Sequence, residues 1–252
     1  MSAARTEQPV IRLKDVGFFY QLRKGFFSSE QFWALKSISF TLYKGESLGI
    51  IGRNGAGKST LLRLLSGIVS ADKGEVVNFG YSTTLLSLQA GFIPYLTGRE
   101  NTLLNGLLLG LNKGSILERM DEIKSFSELG DYFEQPIRSY STGMLARLGF
   151  SIAFQLDPDV LLLDEVMGVG DQKFRDKSTA KLLDKIRSEK TVVLVSHIPG
   201  IVQELCDRAV LIENGATVIE DDTKTVLSVY RDLLKQQPPG QWQLVNKYPT
   251  GN

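Results

Sequence analysis

Apolar and polar positions along the chain follow two different periods, and the change between them divides the sequence. Residues 10–20 and 37–42 mix β-branched and aromatic residues with polar ones, which predicts β structure. Between them, residues 21–33 carry Arg23, Lys24, Phe26, Phe27, Phe32 and Trp33, a basic and aromatic segment read as a hairpin beside the first strand. Residues 46–51 read as a buried strand running into a glycine-rich turn. Leu61, Leu62, Leu64 and Leu65 then recur at helical spacing within residues 59–68.

From about residue 90 to residue 156 the pattern is helical, over 99–111, 115–129 and 142–156, punctuated by Pro94, Gly114 and Pro136. Strands return after Asp157-Pro158. Residues 160–163 and 191–195 are continuous apolar runs, as parallel strands covered on both faces require. Residues 209–213 and 216–219 flank Asn214-Gly215, a pair that supplies the positive φ angles of a tight hairpin. The tail from Pro238 onward holds Pro, Gly and polar residues and is expected to pack little. No internal repeat is visible. The pattern predicts a parallel α/β core interrupted by a helical insert able to move relative to it.

Composition narrows the chemistry. Lys and Arg number 29 against 28 Asp and Glu, a net charge of +1, which argues against a nucleic-acid binder held by bulk positive charge. A single cysteine excludes an internal disulfide, and a single histidine excludes a multi-histidine metal site. A membrane-spanning helix needs roughly 20 mostly apolar residues. The longest candidate, residues 103–111, is interrupted by Asn105, Gly106 and Gly110. Residues 1–9 are polar and lack the apolar region of a signal peptide, so a cytoplasmic protein is expected, one still able to dock on a membrane protein.

Three segments carry candidate chemistry. Gly52-Arg53-Asn54-Gly55-Ala56-Gly57-Lys58-Ser59 matches G-x-x-x-x-G-K-[ST], with a strand before it and a helix after it. Such a loop turns backbone N–H groups toward phosphates, brings Lys58 to the β/γ oxygens and places the Ser59 hydroxyl on Mg²⁺. Leu161-Leu162-Leu163-Asp164-Glu165 is an apolar strand ending in two carboxylates. Asp164 suits the Mg²⁺ shell, and Glu165 suits orienting and deprotonating an attacking water. Ser141-Thr142-Gly143-Met144, with Arg147 beyond it, lies upstream. Ser141 reads as the N-cap of the helix over 142–156, and its hydroxyl and the following N–H groups also suit an anion.

P-loop, Ser141 segment, acidic strand end and a downstream Ser196-His197 resemble, in that order, the ABC-type ATPases. The resemblance covers residues from about 10 to 235. It implies a P-loop NTPase core with a mainly parallel sheet, an N-terminal antiparallel β subdomain and an inserted helical subdomain at about 90–156. Residues 1–237 would be one nucleotide-binding domain and 238–252 a short tail. It also implies a head-to-tail homodimer with two ATP molecules, each between the P-loop of one subunit and the signature of the other. Ser141, Thr142, Gly143 and Met144 would meet the opposite subunit's ATP, and Thr60 would join the P-loop contacts. Tyr20 would stack on adenine; its other reading is a half-buried strand aromatic. Gln89 would approach Mg²⁺ and water, although it lies one residue nearer to Pro94 than the common spacing, so the loop is shortened or another residue makes the contact. Asp171 would communicate between the two sites, and His197, the sole histidine, would touch the γ-phosphate.

The departures from the common pattern occur as a set: Tyr140, Thr142 and Met144 in the signature, Gly168-Val169-Gly170-Asp171 after the acidic strand end, then Gly91-Phe92 and Leu96-Thr97-Gly98-Arg99-Glu100-Asn101. This set resembles the ATPase subunits of exporters for lipid-linked polysaccharides: O-antigen, capsule and teichoic acid. Some of those carry a further C-terminal carbohydrate-binding domain, which is not expected here after Pro238. The implied partners are a dimeric multispanning permease on the cytoplasmic side of the bacterial inner membrane, through which the lipid-linked glycan is met, and no nucleic acid. The alternatives are the ATPase of another transporter, an ABC ATPase without a transporter, and a P-loop switch or kinase, against which the signature segment argues. For residues 23–33, contact with lipid or the membrane partner stands beside a plain solvated hairpin.

Overall fold

The computed structural model describes residues 8–23, 29–86, 91–155, 158–164, 171–186 and 190–235. Their strands are β1 (Pro9–Arg23), β2 (Ser29–Tyr43), β3 (Ser47–Ile51), β4 (Lys73–Asn78), β5 (Thr83–Leu85), β6 (Val160–Asp164), β7 (Thr191–Val195), β8 (Arg208–Glu213) and β9 (Ala216–Asp222). They form one mixed sheet in the order β4-β1-β2-β9-β8-β3-β7-β6-β5. The helices are α1 (Lys58–Leu65), α2 (Gly98–Leu108), α3 (Lys113–Glu118), α4 (Met120–Ser127), α5 (Thr142–Phe154), α6 (Gln172–Ile186), α7 (Pro199–Leu205) and α8 (Thr223–Lys235).

The apolar runs are the centre of the sheet. β3 pairs in parallel with β7 and β8, and β6 with β7 and β5. Side chains alternate across a strand. Val160, Leu162, Val193, Val195, Leu48, Ile50, Val210 and Ile212 therefore meet the α1 leucines on one face. Leu161, Leu163, Val192, Leu194, Ala209 and Leu211 meet α5, α6, α7 and α8 on the other. Each fully buried aliphatic contributes about 1.5–3 kcal/mol, so this double cover supplies most of the drive for the parallel half.

The N-terminal strands are antiparallel: β1 pairs with β2 and with β4, and the β8–β9 hairpin joins this half to the parallel half where Ser37 lies beside Ala216. The pairing of β1 with β2 continues to Arg23 opposite Ser29, so both strands run further than the sequence pattern indicates. Trp33 is part of β2 and packs on Phe19 with ring centroids 5.2 Å apart. Lys24, Phe26 and Phe27 lie outside the described residues. Asn214 (φ 49°) and Gly215 (φ 79°) form the expected hairpin turn.

Residues 115–129 are two helices. α3 and α4 meet at Arg119, whose guanidinium donates to the Gln155 carbonyl at 2.7 Å, which holds the break against the end of α5. α2 to α5 enclose a core of their own, built from Ile116, Met120, Ile123, Phe133, Leu148 and Ile152. α5 belongs to both cores, since Phe150 and Ala153 point to the sheet side. Phe126 of α4 stacks on Phe150 and meets Phe174 edge-on, so α4 as well as α5 ties the helical insert to the sheet side. Among the described residues no helix is long and apolar enough to cross a membrane.

Candidate nucleotide-binding site

The segment from Gly52 to Ser59 leaves β3 and enters α1 under tight constraint. A Cβ at Gly52 would lie 2.1 Å from the Ile212 carbonyl oxygen. Gly57 has φ 104°, and a Cβ there would lie 2.6 Å from the Ala34 carbonyl oxygen. Only glycine meets both demands. The Ala56 carbonyl accepts from Gly215 N–H at 3.1 Å, so the β8–β9 turn braces the loop. Lys58 is buried, and its Nζ donates to the carbonyls of Gly52 and Arg53, each at 2.9 Å. No side chain caps α1, whose N-terminal N–H groups follow the loop. The result is a loop with an ammonium at its centre and a positive helix end beside it, the electrostatics of an oxyanion or phosphate site.

The strand ends complete it. Asp164, the last residue of β6, lines the same cavity of about 540 Å³ as Asn54, Gly55, Gly57, Lys58, Ser59 and Thr60. Val195 of β7 lies in register with Asp164 on one side and with Ile50 on the other. His197 follows two residues later, exposed, after a turn in which Ser196 Oγ accepts from Ile198 N–H at 3.1 Å. The P-loop, Asp164 and His197 thus emerge from three adjacent strands at their C-terminal ends, where ligands of open α/β sheets bind. Tyr20 lines the cavity as well, its hydroxyl 3.4 Å from Thr60 Oγ1. Gln89 and Glu165 lie outside the described residues.

The Ser141 segment is placed elsewhere. Ser141 Oγ accepts from Met144 N–H at 3.2 Å, so the expected N-cap of α5 is present. Ser141 and Thr142 are exposed on the helical insert, and none of residues 141–144 lines the cavity of Lys58. Around Gly143 a Cβ would meet nothing closer than Ser141 Oγ at 3.8 Å, so nothing among the described residues demands glycine there.

A family description of the ABC transporter covers residues 35–168, from β2 past the Ser141 segment to just beyond Asp164 and Glu165. The chain belongs to the ABC transporter family. Within it, the chain is 42% identical over 226 residues to the O-antigen export system ATP-binding protein RfbB of Klebsiella pneumoniae, covering 88% of this chain and 90% of that one. It is 43% identical over 203 residues to the teichoic acids export ATP-binding protein TagH of Enterococcus faecalis, covering 81% of this chain but only 45% of that longer relative. A dimeric ATP-binding cassette solved in a post-hydrolysis state with ADP and Pi superimposes with a TM-score of 0.68 at 23% identity, over 84% of this chain and 98% of that one. This likeness supports the fold.

Other residues of this ABC cassette take places that motif reading does not reach. Arg53, counted among the P-loop contacts, turns its side chain away from the cavity. Its guanidinium donates to the Leu233 carbonyl of α8 at 2.6 Å and pairs with Glu213 at 3.5 Å, both side chains largely buried. Arg53→Ala is expected to destabilise the fold by about 2–3 kcal/mol, because Glu213 is left without its cation in a poorly hydrated site. Urea unfolding checks this, and a loss under about 0.5 kcal/mol, the level of a neutral surface change, rejects it. Asp171 also has a role inside the chain. Its Oδ1 accepts from Phe174 N–H at 3.0 Å at the start of α6, and Arg147 lies 3.6 Å from its Oδ2. The Phe174 N–H and then the Arg147 cation hold its carboxyl below the usual carboxylate range.

A second cavity of about 550 Å³ shares Ser59 and Asp164 with the first and is bounded by Arg63, Thr83, Thr84 and, from α2, Leu108. β5 and the end of α2 thereby come to within one cavity of the P-loop. β5 carries no motif, and its parallel pairing with β6 is what brings it there.

Proposed function

We propose that this chain is the ATP-binding and ATP-hydrolysing subunit of an exporter that moves a lipid-linked polysaccharide, of O-antigen, capsule or teichoic acid type, across the cytoplasmic membrane. The observation that carries the ATPase reading is one cavity lined by Lys58, Ser59, Asp164 and Tyr20. The names of the relatives support the polysaccharide class. Ser59 and Asp164 offer a hydroxyl and a carboxylate oxygen to that cavity, and no group of three or more His, Cys, Asp or Glu side chains gathers elsewhere among the described residues. Hard oxygen donors in that number suit Mg²⁺, which keeps waters and phosphate oxygens as its remaining ligands. When bound, the ion would neutralise charge developing on the phosphates. Gln89 is proposed as a further contact to it.

In this reading the P-loop from Gly52 to Thr60 cradles the phosphates, Tyr20 holds the adenine, Glu165 orients and deprotonates the attacking water, and His197 senses the γ-phosphate. The separation of the Ser141 segment from the cavity of its own chain supports a head-to-tail dimer. The open space at Gly143 fits a ligand approaching from a second subunit. ATP then has a higher affinity for the closed dimer than for the open one and drives closure by that difference. Asp171 lies at the dimer contact, and the helical insert passes the motion to a dimeric permease at the cytoplasmic face of the inner membrane. The glycan is met mainly through that permease.

The test is Glu165→Gln. The purified variant is expected to keep ATP bound without turnover, and a strain carrying it to accumulate lipid-linked polysaccharide inside the cell. Hydrolysis near the wild-type rate would overturn the role of Glu165, and normal export would overturn the substrate class.

A further inference from the structure

The nucleotide cavity has a second aromatic wall. Tyr20 on β1 and Phe32 on β2 are directly opposed cross-strand partners, so their side chains stand together on one face of the hairpin. Both line the cavity that Gly55, Lys58 and Ser59 also line. The two rings are held differently. The Tyr20 hydroxyl is 3.4 Å from Thr60 Oγ1 and 3.5 Å from Arg63 Nη1, and its ring meets Phe18 edge-on with centroids 4.9 Å apart. Phe32 is 52% exposed, whereas its neighbour Trp33 is packed on Phe19. A phenyl ring standing half in water beside a phosphate cradle, level with a tethered tyrosine, presents a flat apolar surface of the kind on which a nucleobase stacks.

We propose that Phe32 is a second nucleotide-binding aromatic, forming with Tyr20 a two-ring platform for the purine base of ATP while the phosphates rest on the P-loop. This rests on the reading of the cavity as the ATP site given above. The occupant follows from continuity, since a ligand whose phosphates lie against Gly55 and Lys58 occupies a cavity whose aromatic lining is Tyr20 and Phe32. The Tyr20 hydroxyl lies on the side of Thr60 and Arg63. Phe32 offers no polar group to a base edge. Phe32 therefore contributes affinity through stacking alone.

Equilibrium binding of ATP and of inorganic tripolyphosphate to the full chain separates the base from the phosphates. Phe32→Ala is expected to raise the Kd for ATP about tenfold and leave that for tripolyphosphate unchanged. Phe32→Leu keeps apolar bulk without the ring and is expected to lose ATP affinity too, while Phe32→Trp keeps it within about twofold. ATP affinity of Phe32→Ala within about twofold of wild type, or an equal loss of both ligands, overturns the platform. If the wild-type chain binds neither ligand, the ATP reading itself fails, a result distinct from failure of the platform.

Discussion

Lys58→Ala is expected to weaken ATP binding by at least about 100-fold, or about 2.7 kcal/mol, and to take hydrolysis below detection. The size follows from where the ammonium sits. Nζ lies 2.9 Å from both the Gly52 and the Arg53 carbonyl oxygens, and the side chain is only 7% exposed. In the chain without nucleotide, those carbonyls hold the cation in place. When triphosphate arrives, the cation is already desolvated and positioned, so little is lost in ordering it. Removing it costs more than one charge-assisted hydrogen bond of about 1.5–3 kcal/mol, because two carbonyl dipoles are left beside an anion. Lys58→Arg is expected to fail as well, since a planar fork does not reproduce a point charge between two carbonyls. Calorimetric titration with ATP provides the check, and an affinity for the alanine variant within threefold of wild type would be incompatible with this account.

Gly98→Ala is expected to destabilise the protein by about 2–3 kcal/mol, although alanine is the better helix former by about 1 kcal/mol. The added Cβ would lie 2.4 Å from the Tyr140 hydroxyl oxygen and 2.9 Å from the Phe133 carbonyl oxygen. Tyr140 cannot simply move. Its hydroxyl donates to the Tyr132 carbonyl at 2.6 Å, and its ring is buried in the core of the helical insert. Burial pushes its phenol up to about 12, so it remains a neutral donor at physiological pH. Gly98 and Tyr140, two separate members of the motif set that suggests polysaccharide exporters, are therefore one packing unit. Tyr140→Phe removes the nearest atom at the expense of one hydrogen bond, about 1 kcal/mol. The double variant Gly98→Ala with Tyr140→Phe is expected to be less destabilised than the sum of the singles. Scanning calorimetry of the three variants decides it. The loss corresponds to a midpoint lowered by about 4–10 °C for a chain of this size, and a Gly98→Ala midpoint at or above wild type would refute the clash.

Three further members of that motif set, Thr97, Glu100 and Asn101, have local reasons. Thr97 and Glu100 form a reciprocal capping box at the start of α2. Asn101 is fully buried, donates to the carbonyls of Ile93, Leu96 and Thr97, and accepts from Ile93 N–H at 2.8 Å, so it ties down the loop ahead of α2. Such bonds span at most eight residues and are legible along the chain. The Ser141 cap, the Asn214-Gly215 turn, the apolar runs of β6 and β7 and the P-loop motif are legible too, although the Ile212 and Ala34 carbonyls that demand glycine at positions 52 and 57 lie elsewhere in the chain. β4 and β5 escaped the pattern because one is mostly exposed and the other is three residues long. The single helix expected over 115–129 became two because Arg119 reaches a carbonyl 36 residues away.

What the sequence determines by itself is thus the set of local devices: a phosphate loop between a strand and a helix, a carboxylate at a strand end, a capped helix in an insert. Which of them share a cavity depends on strand order. β3 lies between β7 and β8, so residues some 140 to 160 positions apart in the chain become neighbours. That order brings Asp164 and His197 to the edge where the P-loop emerges and leaves Ser141 on the helical insert. It turns Arg53 toward Leu233 and sets Phe32 opposite Tyr20. These contacts are long-range and depend on how the two faces of the sheet are covered, so no local period or motif records them, and only the assembled tertiary structure decides them.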